Sequence, residues 1–282
     1  MSDTVLLETS DLTVRYGGVT ANSDGTISVG AGEIVGLIGP NGAGKTTFVD
    51  AVTGFTKSQG SVSASVRAGE ILALLGPNGS GKTTTLLAAV GALKLMSGTV
   101  TALGEPIDRR IERNARRGIT LVPDTRGVFH RLSVADNLRL AKRRGGRDID
   151  TIYDYFPKLK TMRSRRCGNL SGGEQQMLAL AKALLTGPQI LLIDEMSLGL
   201  SPVAVQDLLP RLRAIADDAN MAVVLVEQHI ELALGIADSA MVLHHGRAAL
   251  SAPAAELRGN RERVEAAYFG RDLEVPSASS GG

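Results

Sequence analysis

AGEIVGLIGPNGAGKTTFVDAVTGFTK, residues 31–57, returns as AGEILALLGPNGSGKTTTLLAAVGALK, residues 68–94, at a constant offset of 37 with 16 of 27 positions identical. Each copy reads as a short apolar strand (34–38 and 71–75), a glycine-rich turn and a helix-forming run. Both turns fit G-x-x-x-x-G-K-[ST] in the strand-to-helix context that makes the pattern a phosphate loop rather than an ordinary turn. In such a loop the glycines let backbone N–H groups turn inward on phosphate oxygens, and the following helix start adds favourable partial charge. The second copy supplies Gly76, Pro77, Asn78, Gly79, Ser80, Gly81, Lys82 and Thr83, followed by Thr84; the first supplies Gly39, Asn41, Gly42, Gly44, Lys45 and Thr46. The lysine would bridge the outer phosphates of ATP, and the Thr83 hydroxyl would coordinate Mg²⁺.

Outward from the repeat, residues 119–122, 190–193 and 223–226 are further short apolar runs, separated by helical patterns such as 175–185 and 203–217. Strands alternating with helices predict an α/β sheet. Nothing resembling the repeated unit occurs after residue 94, so a solenoid is excluded. An extra strand cannot share the original's place, so one copy must be displaced or the sheet must gain a strand. Between 108 and about 186 the strand signal fades and charge rises, predicting a mostly helical subdomain. The expected organisation is an N-terminal partial segment at 1–57, a main domain at 58–270 and a disordered tail at 271–282.

ILLIDE places Asp194 and Glu195 at the end of a buried strand, where desolvation is costly unless a cation or proton is present. Asp194 is the candidate Mg²⁺ ligand and Glu195 the candidate general base for the attacking water. Standing alone, the pair would read as an acidic strand end capping the next helix. LSGGEQQ at 170–176 places Ser171 as an N-cap, with core-facing Met177, Leu180, Ala181 and Leu184 behind it. That is either a capped helix alone or, with the N–H groups of Gly172 and Gly173, a second anion site for a γ-phosphate held elsewhere.

A phosphate loop, LSGGEQQ, ILLIDE and a later lone histidine, in that order, resemble the ATP-binding subunit of an ABC transporter, a P-loop NTPase. The resemblance implies that two such subunits sandwich two ATP molecules, each phosphate loop facing the other subunit's LSGG segment. It also implies that His229, in VVLVEQH, contacts the γ-phosphate and that Tyr16, in TVRYGG, stacks on adenine. Two positions depart from the family pattern. Asp124, in VPDTRGVF, stands where the family has a glutamine, and Met196 where it has a proline. Asp124 could still reach Mg²⁺ through water, with more charge and more sensitivity to acid than an amide.

From about residue 61 to 270 the chain is similar to ATPase subunits of branched-chain amino acid importers, and residues up to about 57 resemble the start of the companion subunit. The resemblance implies a second ATPase subunit in a homodimer or heterodimer, membrane-spanning permease subunits, an external substrate-binding protein acting indirectly, and a cytoplasmic place on the inner face of the membrane. Only the second phosphate loop lies directly ahead of the full motif set, with Lys82 at 89 residues from Ser171 and 112 from Asp194, so residues 76–83 are the expected productive site.

Composition bounds the rivals. Lys+Arg number 31 against 29 Asp+Glu, a net charge of +2 that argues against a dedicated nucleic-acid binder. A nucleic-acid ATPase of related motifs would carry a long coiled coil between loop and signature, and no sustained heptads occur here. Hydrophobic residues make up 43% and charged ones 21%, an ordinary globular mix. No run of about 18 uncharged apolar residues is present, and the acidic N-terminus does not read as a secretory signal. The single cysteine, Cys167, can form neither an internal disulfide nor a cysteine-based zinc site. The remaining alternatives are an exporter ATPase, a non-hydrolytic binding module and a weakly active fusion of two subunits whose competing repeats frustrate folding.

Overall fold

The computed structural model describes residues 5–16, 19–38, 63–76, 82–92, 99–244 and 247–269. Among the described residues ten strands form one sheet: β1 (Val5–Tyr16), β2 (Val19–Ile38), β3 (Ser63–Leu75), β4 (Val100–Ala102), β5 (Glu105–Pro106), β6 (Ile119–Val122), β7 (Ile190–Asp194), β8 (Ala222–Glu227), β9 (Ser239–His244) and β10 (Arg247–Pro253). The helices of the described residues are α1 (Lys82–Ala89), α2 (Ile111–Arg117), α3 (Val134–Ala141), α4 (Ile149–Tyr155), α5 (Pro157–Thr161), α6 (Gly172–Leu185), α7 (Pro202–Ala219), α8 (Ile230–Ile236), α9 (Ala254–Arg258) and α10 (Arg261–Phe269). This is the α/β class that the alternating pattern predicts.

The centre of the sheet runs β9, β3, β8, β7, β6, all parallel. The runs 71–75, 190–193 and 223–226 within β3, β7 and β8 are apolar and buried because both faces are covered. Successive side chains point to opposite faces. Thus Ile71, Ala73 and Leu75 of β3 join Leu191, Ile193, Val223 and Leu225 on the face carrying α6 and α7, while Leu72 and Leu74 join Leu192, Val224 and Leu86 of α1 on the other. On α6 the expected core positions Met177, Leu180, Ala181 and Leu184 are all buried. A fully buried leucine of this kind contributes roughly 1.5–3 kcal/mol. Leu138, Ile152, Phe156 and Leu159 of α3 to α5 extend the same core, so the helical stretch grows out of the sheet rather than standing apart.

The repeat has an unusual consequence for the sheet. Val35 of β2 and Leu72 of β3 both register with Ser239, and Leu37 and Leu74 both register with Met241. On the other side Ile34 and Ile71 both register with Val223. A strand has two edges, and the second edges of β8 and β9 are taken by β7 and β10. The gap between β8 and β9 therefore admits one strand, and both copies are cut to fit it. Two antiparallel additions flank this centre: β1 pairs with β2 and, through Leu7 opposite Ala102, with β4.

The apolar half of β3 is fastened at its start, residues 69–71, by Asp238 and Arg213. The Ile71 N–H donates to Oδ2 of Asp238 at 2.6 Å, and the Ile71 carbonyl accepts from the Asp238 N–H at 2.9 Å. Arg213 on α7 donates to the same Asp238 oxygen at 2.6 Å and to the Gly69 carbonyl at 2.5 Å.

Candidate functional site

In an open α/β sheet ligands bind beyond the carboxyl ends of the strands, and Gly76, Asp194, Glu195 and His229 lie at or just past the ends of β3, β7 and β8. Asp194 closes β7 opposite Val226 of β8 and is buried. Glu195 follows at φ +47, a left-handed conformation that costs a non-glycine residue about 1–3 kcal/mol when held by its surroundings. Its N–H donates to the Val226 carbonyl at 3.0 Å, which holds that conformation against β8. The turn continues through buried Met196 and Ser197, where the proline of the family pattern is replaced without exposing the chain.

Glu227 ends β8 as a fully buried carboxylate. It accepts the Ser197 N–H at 2.8 Å, the Ser197 hydroxyl at 2.6 Å and the Gln228 N–H at 3.3 Å. Burial pushes its pKa up, while these bonds and the nearby His229 act in the opposite direction. The Glu227 carbonyl accepts the Gly76 N–H at 3.1 Å, so the first residue of the second phosphate loop is joined to the end of β8. His229 follows, exposed, at the start of α8 and without a side-chain cap bond.

The phosphate-loop residues Pro77, Asn78, Gly79, Ser80 and Gly81 lie outside the described residues, as do Gly39, Asn41, Gly42, Gly44, Lys45 and Thr46. Lys82 opens α1, Thr83 is exposed on its first turn, and Thr84 follows in the same helix. Helix α1 packs against β7, bringing the Thr83 turn and Asp194 to neighbouring elements. A hydroxyl and a carboxylate are hard oxygen donors that suit Mg²⁺. Among the described residues no group of three or more His, Cys, Asp or Glu is placed to hold a metal ion. Asp124 is exposed in the turn after β6, with Oδ1 accepting the Thr125 N–H at 2.7 Å. Tyr16 closes β1.

Ser171 caps α6 in a full capping box: its hydroxyl accepts the Glu174 N–H at 3.3 Å, and its own N–H donates to Glu174 Oε2 at 2.7 Å. The glycines behind it meet close neighbours. A Cβ at Gly173 would lie 2.8 Å from Cβ of Ala204 on α7, and one at Gly172 would lie 3.2 Å from the Gly199 carbonyl. Packing in this chain thus accounts for small residues at 172 and 173, and the cap N–H groups remain at the helix start.

Three participants were not foreseen from sequence. Glu227 and Ser197 lie in stretches that resemble the family, but the sequence gives neither a role of its own. Tyr268 on α10 has its phenol pushed up to about 12, chiefly by burial and secondarily by the charge of Glu195. It lines, with Gln228, His229, Glu231, Arg261 and Glu265, a cavity of about 500 Å³ beside α8.

A family model described as ABC transporter matches residues 23–65 and again 60–197, and the chain belongs to this family. It is an ATPase of the ABC type. Over 271 residues it is 37% identical to the high-affinity branched-chain amino acid transport ATP-binding protein BraG of Pseudomonas aeruginosa, covering 94% of this chain and 100% of that protein. It is also 37% identical, over 257 residues, to a probable branched-chain amino acid transport ATP-binding protein, LivF, of Archaeoglobus fulgidus, covering 89% of this chain and 94% of the relative. The solved structure of cbiO1 from Clostridium perfringens, part of an ABC transporter complex, shares the fold with a TM-score of 0.69 at 19% identity over 92% of both chains. No helix among the described residues is long and apolar enough to cross a membrane.

Proposed function

We propose that the chain is the ATP-hydrolysing subunit of an importer for branched-chain amino acids, with residues 76–83 as its working phosphate loop. The observation that carries this is the junction at the strand ends: Gly76 is hydrogen-bonded to the end of β8, directly beside the β7 end that bears Asp194 and Glu195. The bonds from Asp238 and Arg213 to residues 69–71 favour the second copy in the gap between β8 and β9. The relatives named above are transport proteins, which does not favour the nucleic-acid alternative.

In this reading the backbone N–H groups of residues 76–83 and the Lys82 ammonium grip the phosphates, and Tyr16 stacks on the adenine. Thr83 and Asp194, with Asp124 through water, would hold Mg²⁺, which supplies charge neutralisation at the β- and γ-phosphates. Glu195 takes a proton from the water whose oxygen attacks the γ-phosphorus, as the bond to the ADP oxygen breaks. His229 touches the γ-phosphate. Ser171 with the N–H groups of Gly172 and Gly173 closes on the ATP of a second ATPase subunit, and hydrolysis lets the two part. The assembly sits on the cytoplasmic side of permease subunits fed by an external binding protein, and residues 58–270 form the working domain.

The test compares Lys82→Ala with Lys45→Ala in the complex with partner ATPase and permease. The expected result is loss of ATPase activity by about a hundredfold or more for Lys82→Ala and near wild-type activity for Lys45→Ala. The reverse pattern would assign the site to the first loop.

A further inference from the structure

Arg126 sits in the turn after β6 at φ +63, with its N–H donating to the Pro123 carbonyl at 2.8 Å. Its guanidinium reaches two other parts of the site at once. Nε donates to Oε1 of Gln176 at 3.0 Å, and Nη1 to Oε1 of Gln175 at 3.2 Å, both on the first turns of α6. Nη2 donates to the carbonyl of Leu198 at 2.9 Å, in the turn that follows Glu195. Gln175 passes the connection on, because its Nε2 donates to the carbonyls of Cys167 and Leu170, just ahead of Ser171. The fit is close: Cβ atoms built at Gly172 and at Gly199 would each come within 3.7 Å of the guanidinium nitrogens.

Three segments thus meet on one planar group: the Asp124 turn, the capped start of α6 and the turn leaving Glu195. We infer that Arg126 is a positioning residue for ATP hydrolysis, fixing the Ser171 cap and the Glu195 turn at one mutual spacing. The fixed fork of donors is what makes this possible, since a lysine ammonium at the end of a flexible stem can take only part of the set. The role rests on the reading of Glu195 as general base. The step it serves is the catalytic one, because the segments it joins are the turn that leaves Glu195 and the start of the helix capped by Ser171.

The experiment uses the complex with partner ATPase and permease, comparing wild type, Arg126→Ala and Arg126→Lys for kcat, KM for ATP and Tm. A misplacement of about an ångström is worth large factors in rate, so Arg126→Ala is expected to lower kcat about tenfold or more while KM stays within about twofold. Arg126→Lys is expected to recover only part of the loss. Losses in Arg126→Ala and Gln175→Ala should also be non-additive, as for residues on one network. An unchanged kcat, a rise in KM alone, or full rescue by lysine overturns the inference. Should the alanine variant fail to fold, the lysine variant decides by the same kcat and KM criteria. An inactive wild type overturns the ATPase reading itself, whereas an active wild type with an indifferent Arg126 overturns this inference alone.

Discussion

Ser197 gives both its N–H and its hydroxyl to the two oxygens of the buried Glu227 carboxylate, at 2.8 and 2.6 Å. The turn that leaves Glu195 is therefore tied to the end of β8. Replacing Glu227 by alanine strands two buried donors, at a cost of about 1–3 kcal/mol. Chemical denaturation of Glu227→Ala should show that loss.

The same carboxylate gives the protein a pH dependence with a definite sign. Burial raises the folded pKa above the ordinary glutamate value of 4.5, so the folded state keeps its proton longer than the unfolded state. Stability contributed by this group is full below the unfolded value and declines as pH rises through the folded one. Glu227→Gln should flatten that part of the stability profile on the alkaline side of pH 4.5, measured by denaturation at stepped pH.

Gly173 faces Ala204 with no room for a methyl group, the added Cβ falling 2.8 Å from its counterpart. Gly173→Ala is expected to lose about 1–3 kcal/mol by overpacking, against a gain of up to about 1 kcal/mol from helix propensity. The double variant Gly173→Ala with Ala204→Gly should regain most of the stability. No recovery in the double variant would mean the glycine is needed for something other than space.

Tyr268 offers a spectroscopic handle on Glu195. Difference titration of wild type against Tyr268→Phe should show one tyrosinate forming near pH 12. Glu195→Gln should lower that value only in part, because burial is the larger cause. The folded phenol holds its proton above the ordinary pH 10 range, so stability from this group falls as pH climbs from 10 toward 12.

Asn114 is fully buried beneath the segment that follows α1. Its Nδ2 donates to the carbonyls of Val90 and Asp108 at 2.9 and 2.5 Å, and its Oδ1 accepts the Asp108 N–H at 2.9 Å. Asn114→Ala leaves these backbone groups unmatched and should cost about 1–3 kcal/mol, read as a lower Tm.

The central strands were legible in the sequence because burial on both faces leaves them uniformly apolar: residues 119–122 are β6, and 190–193 and 223–226 lie within β7 and β8. Helix α6 begins at the residue after Ser171 because a capping box is local chemistry, visible as Ser171 and Glu174 three positions apart. Strands β9 and β10 were missed, since SAMVLH and RAALSAP owe their extended form to partners far away in sequence. Arg126 was hidden for a related reason. One arginine among 31 basic residues carries no mark of its own, and only the fold brings Gln175, Gln176 and Leu198 around it.

Because both repeats share one register against their neighbours, excising the 37 residues 31–67 would join Gly30 to Ala68 without shifting any later residue relative to β8 and β9. The spliced chain would carry a single unit, entered directly from the hairpin of β1 and β2. Shorter than its parent, it would have one way to complete its sheet where the parent has two, and it should refold faster and more uniformly for that reason.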